Sequence, residues 1–174
     1  MRGLTIRAGA FGSGKRGRGE VFLSTFEKPL DAKRRIVVPQ EFRATVAGPF
    51  DGVFCFPSIE ADCIEGGGKA LFDRQEALIN EFEVGDPLRY ALEFTVRGGM
   101  AQLSFDTAGR ITLPENLCEM FGLTDWVVVV GLGDRFQIWS RETFQAQRSN
   151  QRQFARDGLA AVRAAQRQAK LGAA

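Results

Sequence analysis

The feature that most constrains the fold is a phrase that occurs twice, as DAKRRIVVP over residues 31–39 and as DTAGRITLP over 106–114. Both copies start with Asp, place Arg four residues later and run through aliphatic residues to Pro. The same order surrounds each: a strand, a turn, a short strand, a helix after Pro, two strands and a helix. This order predicts a duplicated β-rich unit, and units of about 70 residues are expected to pack together as a pseudo-dimer.

The predicted fold class is therefore α+β and β-rich, with helices flanking two tandem β units. We expect a flexible basic arm over residues 1–17, a first repeat over 18–85, a second over 86–147, and a basic tail over 148–174 that continues a helix or frays. Residues 20–26 have strand character, and a helix is expected from Leu88 to Val96, after Pro87.

The charge is divided unevenly along the chain. Residues 1–19 carry five Lys or Arg and no acid, and residues 141–174 carry seven bases and two acids. The middle, 20–140, has 11 bases and 19 acids. An anionic partner must therefore be met by a local cationic patch and by the two ends, because the body as a whole repels it.

Several classes of function find no support in the composition. The chain has no histidine, which removes histidine-dependent catalytic and zinc sites, and its three cysteines, Cys55, Cys63 and Cys118, form no CxxC motif. The stretch 9–15 reads GxxxxGK, but Arg16 replaces the Ser or Thr that a nucleotide-binding loop needs. We predict no enzyme activity, cofactor, metal, small-molecule substrate or membrane span, and a cytoplasmic location.

The two boxes, Asp31–Arg35 and Asp106–Arg110, have a local physical logic. An Asp at the start of a turn accepts backbone hydrogen bonds, and an Arg four residues later can return to its carboxylate as a bidentate partner. Such a clasp needs one cation, so Lys33 and Arg34 exceed what the turn requires. Two interpretations stay open for these cations: a solvated run of charge, or a contact with a phosphate backbone.

The two boxes, together with VVVVGLGDRFQIWSRETF after the second, resemble the MraZ family of bacterial transcriptional regulators over about residues 18–145. The resemblance implies two tandem AbrB-like swapped-hairpin domains, a ring-shaped homo-oligomer, and binding to short direct DNA repeats upstream of the division and cell-wall gene cluster. It also implies association with the nucleoid. The predicted DNA contacts are Arg18, Lys33, Arg34, Arg35 and Arg110, and the predicted turn clasp comprises Asp31, Asp106 and Gly109.

One position departs from that family, which usually has Gly before the Arg of both boxes. The second box keeps Gly109, but the first has Arg34. If the turn needs a positive φ, a non-glycine residue costs on the order of 1 kcal/mol there. Arg34 is then either tolerated strain or an added phosphate contact. The alternative to a DNA-binding regulator is a structural or protein-interaction module in which both boxes serve only as clasps and oligomer contacts.

Overall fold

The computed structural model describes residues 21–46 and 50–172, with side chains through residue 170. The strands run from β1 to β8 as Thr25–Pro29, Arg35–Val37, Gly52–Pro57, Ile64–Gly67, Ala101–Ser104, Arg110–Thr112, Trp126–Gly131 and Phe136–Ser140. The helices run from α1 to α5 as Gln40–Thr45, Lys69–Asn80, Pro87–Leu92, Glu115–Met120 and Arg141–Gly172. A π-helical segment, Glu93–Arg97, continues α3 and is called the π turn below.

Six strands form one antiparallel sheet in the order β1-β7-β8-β4-β3-β5, and β2 pairs with β6 as a separate two-stranded ribbon. The strands are exchanged between repeats: β1 of the first repeat pairs with β7 of the second, and β5 of the second pairs with β3 of the first. Neither repeat completes its own sheet. This is the swapped-hairpin arrangement, and it confirms the prediction of an α+β, β-rich fold built from two tandem units.

A pseudo-two-fold axis relates the repeats. In the ribbon, Ile36 lies opposite Ile111. The two residues are equivalent, because each directly follows the Arg of its own box. In the sheet, Glu65 of β4 lies opposite Gln137 of β8, the equivalent strand of the second repeat. Because each of these residues pairs with its own counterpart, the axis passes through the centres of both the ribbon and the sheet.

The sheet has a helix and a ribbon layer on one side and helices on the other. Val127 and Val129 point toward the ribbon, α1 and α4, where they join the largest buried cluster with Ile36, Phe42 and Ile111. Because successive side chains of a strand point to opposite faces of the sheet, the intervening residues face the other side. There, Val128 packs with Trp139 under the start of α5, and Phe56 packs under α2, α3 and the π turn. The boxes and α5 therefore lie on opposite faces of the sheet.

Some element predictions need correction. The strand expected over 20–26 instead begins at Thr25 and runs to Pro29. Among residues 21–24, Phe22 forms a bridge with Gly133, and Ser24 O accepts from Gly131 N at 2.9 Å. Ser24 has a positive φ of 76°, which breaks the strand there. The expected helix after Pro87 forms as α3 followed by the π turn.

Other predictions fall partly outside the described residues. The arm over 1–17 and Arg18 lie outside them. The tail begins within α5, which continues unbroken to Gly172. Among the helices of residues 21–46 and 50–172, none combines the length and apolar character that crossing a membrane requires.

Candidate nucleic-acid interface

The first box folds as a closed turn around the carboxylate of Asp31. Oδ1 accepts hydrogen bonds from the backbone N–H groups of Lys33 and Arg35, each at 2.9 Å. Oδ2 accepts from the Arg35 guanidinium through Nε and Nη2, both at 2.7 Å. The Arg35 guanidinium, ahead of the backbone donors, lowers the pKa of Asp31 to about 2. The predicted clasp is therefore present in the first box.

The second box repeats this geometry. Asp106 Oδ1 accepts from the N–H groups of Ala108 and Arg110 at 2.9 Å, and Oδ2 accepts from Arg110 Nε at 2.7 Å. The backbone N–H of Arg110, followed by its side chain, lowers the pKa of Asp106 below its ordinary value. Both turns are thus fixed by contacts within five consecutive residues, which is why the sequence predicts them.

The residue before each Arg has the left-handed backbone conformation. The φ angle is 58° at Arg34 and 71° at Gly109. In this conformation each residue turns its carbonyl toward the other repeat: Arg34 O accepts from Leu113 N at 2.8 Å, and Gly109 O accepts from Val38 N at 3.1 Å. The positive φ expected from the turn is present at both positions. The two hydrogen bonds join each box to the residue that follows the short strand of the other repeat.

A guanidinium occupies the same place beside both turns but comes from different positions. Beside the second box, Arg43 Nε donates to Val38 O at 3.2 Å, and a Cβ added to Gly109 would lie 2.5 Å from Arg43 Cζ. Beside the first box, Arg34 itself donates from Nε to Leu113 O at 3.3 Å.

The residues involved are equivalent under the pseudo-symmetry. Val38 and Leu113 both precede the Pro that ends their phrase, and Arg43 and Cys118 both lie four positions after that Pro. The chain therefore has a Gly–Arg pair beside one turn and an Arg–Cys pair beside the other. Arg34 thus supplies beside the first turn the guanidinium that Cys118 cannot supply. Sequence reasoning did not single out Arg43, because its signal is a pairing across the two repeats.

The ribbon between the boxes presents one face to the core and one to the outside. Ile36 and Ile111 are buried, whereas Val37 and Thr112 are exposed and the Arg35 and Arg110 side chains are partly exposed. The Asp106 carboxylate of the second box is close enough to act electrostatically on the Arg35 guanidinium. The fold thus brings both clasps together at the ends of a two-stranded ribbon.

The cations of the first box differ in how they are held. The Lys33 side chain is exposed, and no hydrogen bond or ion pair occupies its ammonium group among the described residues. Arg34 approaches Glu115 at 3.8 Å in addition to Leu113 O, and Arg35 is held in the clasp. The structure brings together all the predicted site residues except Arg18, which lies outside the described range. Within that range, no three His, Cys, Asp or Glu side chains converge as metal ligands do.

Comparison with known proteins identifies relatives of this chain. A family model described as "MraZ protein, putative antitoxin-like" matches residues 97–166. A transcriptional regulator MraZ from Phenylobacterium zucineum is 77% identical over 151 residues, which cover 87% of this chain and 94% of the relative. The chain belongs to the MraZ family. This confirms the resemblance predicted from the two boxes.

Other relatives extend the comparison within the MraZ family. A transcriptional regulator MraZ from Caulobacter vibrioides strain NA1000 / CB15N is 73% identical over 150 residues, covering 86% of this chain and 96% of the relative. One from Parvibaculum lavamentivorans is 39% identical over 127 residues, covering 72% and 79% of the two chains. The names of these proteins describe them as transcriptional regulators, and the paired boxes are therefore the first place to look for such a function here.

Proposed function

We propose that this protein is a transcriptional regulator that binds double-stranded DNA in a sequence-specific manner through the ribbon and its two boxes. The observation that carries the proposal is the two-stranded ribbon, with one face exposed and a cationic turn at its end. A two-stranded β-ribbon fits the major groove of B-DNA, whose base edges distinguish all four base pairs. The names of the relatives support regulation of transcription as the purpose of this binding.

Some of these residues would position the protein on the DNA backbone, and others would read the bases. Lys33, exposed and unoccupied among the described residues, would neutralise a phosphate. The clasps would hold Arg35 and Arg110 at the groove with their remaining N–H groups available to guanine edges. Arg34 contacts Leu113 O and Glu115, so its first role is to support the turn. We therefore expect the first box to carry most of the contact with DNA, and Arg18 to add a phosphate contact.

Assembly would multiply these contacts. In a ring of identical chains, the ribbons would recur at regular spacing and engage short direct repeats simultaneously, so modest contacts per chain would add through effective concentration. Following the family resemblance, we propose that the repeats lie upstream of the division and cell-wall gene cluster, and that the protein associates with the nucleoid in the cytoplasm.

The test is fluorescence anisotropy with DNA from the protein's own upstream region, measured at several salt concentrations. Lys33→Ala is expected to weaken binding to specific and unrelated DNA alike and to lower the salt slope by about one per contacting chain. Arg35→Ala is expected to abolish specific binding, with the fold verified by circular dichroism. Lys69→Ala, which removes an exposed lysine from α2 on the other face of the sheet, is the matched control. Full-strength specific binding by a folded Arg35→Ala variant would refute the proposal.

The second candidate is a structural or interaction module, and the satisfied clasps favour it. Each Asp–Arg pair is complete within its own turn, as a purely structural element requires. The two functions differ in their salt dependence. A DNA-binding surface that neutralises several phosphates loses affinity steeply between about 50 and 200 mM salt, whereas a module of this second kind has no DNA affinity to lose.

A further inference from the structure

The last helix of the chain is much longer than its counterpart in the first repeat. α2 and α5 follow equivalent strands, β4 and β8. α2 has 12 residues and ends at Asn80, after which the chain returns over the sheet as α3 and the π turn. α5 has 32 residues and runs unbroken to Gly172, so the second repeat lacks, within the described residues, the helix that covers the first.

Most of α5 packs against nothing in the described part of the chain. Residues 148–170 are all exposed. The stretch from Arg152 to Lys170, which we call the distal helix, is about 27 Å long at 1.5 Å per residue. Most of the stability of a protein helix comes from packing its amphipathic face. A surface that receives this face would therefore stabilise the distal helix.

One side of the distal helix is apolar. At 3.6 residues per turn, an arc of about 120° contains only apolar residues and glycine. We call this arc the apolar stripe, and it comprises Phe154, Ala155, Gly158, Ala161, Val162, Ala165 and Ala169. The Phe154 and Val162 side chains are 76% and 53% exposed. The distal helix therefore presents an uncovered apolar face to its surroundings.

A second side of the distal helix is cationic. An arc of about 60° contains only bases. We call it the basic stripe, and it comprises Arg152, Arg156, Arg163, Arg167 and Lys170. None of these five side chains forms an ion pair or a hydrogen bond with another described residue. Leu159, which is 51% exposed, lies between the two stripes. The one acid of the distal helix, Asp157, accepts hydrogen bonds from Gln153 on the third side.

The two stripes together restrict the kind of partner that fits. DNA would contact the basic stripe but leave Phe154 and Val162 in water. A second distal helix could cover the apolar stripe, but it would bring like charges together, because each copy carries five bases and one acid there. An anionic bilayer surface offers acyl chains to the apolar stripe and charged headgroups to the basic stripe.

We propose that the distal helix binds the surface of an anionic lipid bilayer and lies parallel to its plane. The apolar stripe would face the acyl chains, while the long Arg and Lys side chains reach the headgroups. A helix of this kind lies on a bilayer and does not span it. The boxes lie on the opposite face of the sheet from α5, so the lipid contact uses a different surface from the proposed DNA contact and does not depend on it.

The test is co-sedimentation of the full chain with vesicles of phosphatidylcholine, either pure or mixed with phosphatidylglycerol. The wild type is expected to bind the mixed vesicles at least about tenfold more strongly than the neutral ones. Phe154→Gln combined with Val162→Gln should weaken binding to the mixed vesicles by at least about tenfold, because it removes the largest apolar side chains. Arg163→Gln combined with Arg167→Gln should weaken it by about tenfold or more.

Two matched controls use the same helix. Ala160→Gln combined with Ala164→Gln makes the same kind of change on the third side, outside both stripes, and should bind as the wild type does. Arg163→Lys combined with Arg167→Lys keeps the charge and should also retain binding. All these positions are exposed, so the fold is expected to be unchanged, which circular dichroism verifies.

A second readout reports whether the apolar stripe enters the bilayer. Phe154→Trp places a fluorophore on this stripe. Mixed vesicles with brominated acyl chains should quench its emission more strongly than that of the wild type, whose Trp126 and Trp139 lie in the sheet. Equal quenching of the two proteins would contradict the proposed orientation.

Several results would overturn the lipid contact. These are a wild-type chain that does not bind the mixed vesicles, an apolar variant that binds them as the wild type does, and an Ala160→Gln, Ala164→Gln control that loses binding equally. An apolar variant that keeps its vesicle affinity but has a lower mass by light scattering would assign the apolar stripe to a second copy. A basic variant that loses affinity only for unrelated DNA would assign the basic stripe to nucleic acid.

Discussion

The exchange of guanidinium groups beside the two turns can be tested by substituting Gly109. In Gly109→Ala, a non-glycine residue must adopt a φ of 71°, which costs about 1 kcal/mol. The new Cβ would also lie 2.5 Å from Arg43 Cζ, so the guanidinium must leave Val38 O. Losing that charge-assisted hydrogen bond costs about 1.5–3 kcal/mol. The free energy of unfolding is expected to fall by about 2.5–4 kcal/mol in total.

The partner substitutions test the reasoning from both sides. Gly109→Arg combined with Arg43→Cys reproduces the arrangement beside the first box, and should recover most of the stability that Gly109→Ala loses. Arg34→Gly relieves backbone strain of about 1 kcal/mol but loses the hydrogen bond to Leu113 O. It is therefore expected to stay within about 2 kcal/mol of the wild type.

Urea unfolding monitored by circular dichroism measures all three variants under the same conditions. If Gly109→Ala is as stable as the wild type, the close approach of Arg43 has no energetic consequence. If the double variant is no more stable than Gly109→Ala, the two sites do not exchange a guanidinium in the way inferred here.

Three further predictions follow from the same structure. The pKa of Asp31 is lowered from 3.8 to about 2 in the fold, so its clasp stabilises the protein fully above about pH 4 and is lost as the pH falls toward 2. Between these pH values, the melting temperature of Asp31→Asn should therefore fall less with decreasing pH than that of the wild type. Burial raises the pKa of the Cys55 and Cys63 thiols to about 12, so a thiol reagent at pH 8 should label neither in the folded protein and both in urea; rapid labelling without denaturant would contradict this burial. Ile36→Ala should lower the free energy of unfolding by about 2–5 kcal/mol in denaturant titrations, since Ile36 is 1% exposed at the pseudo-two-fold axis; a loss below about 1 kcal/mol would show that this position is not part of the core.

The turn clasps are the part of this protein that sequence reasoning predicts best. Asp31 and Arg35 lie four residues apart, and every hydrogen bond of their clasp forms within that segment. Their geometry depends on local turn chemistry, which a short stretch of sequence contains in full. The recurrence of this stretch from Asp106 onward predicted a duplicated β-rich fold, and together with VVVVGLGDRFQIWSRETF it indicated the family.

Strand pairing depended on contacts that no short stretch contains. The sequence suggested a strand over 20–26 from its β-branched and aromatic residues, but the ladder with β7 begins only at Thr25, opposite Val130. The exchange of β1 and β5 between repeats is long-range, and local propensity carries no information about which strand will be its neighbour.

The role of Arg34 shows the same division. The sequence revealed that a non-glycine residue occupies a turn position, and left strain and phosphate contact as open interpretations. The structure adds a third role, because Arg34 donates to Leu113 O in the place that Arg43 fills beside the other turn. That role depends on atoms brought together from positions 79 residues apart.

By itself, the sequence determined the two turns, the duplication and the family, because these follow from contacts between near neighbours and from their repetition. Only the tertiary structure decided how the repeats interlock, which guanidinium supports which turn, and where the second repeat lacks the helix that covers the first. These features arise from packing across the pseudo-two-fold axis, where residues far apart in the chain fill, or leave open, the same space.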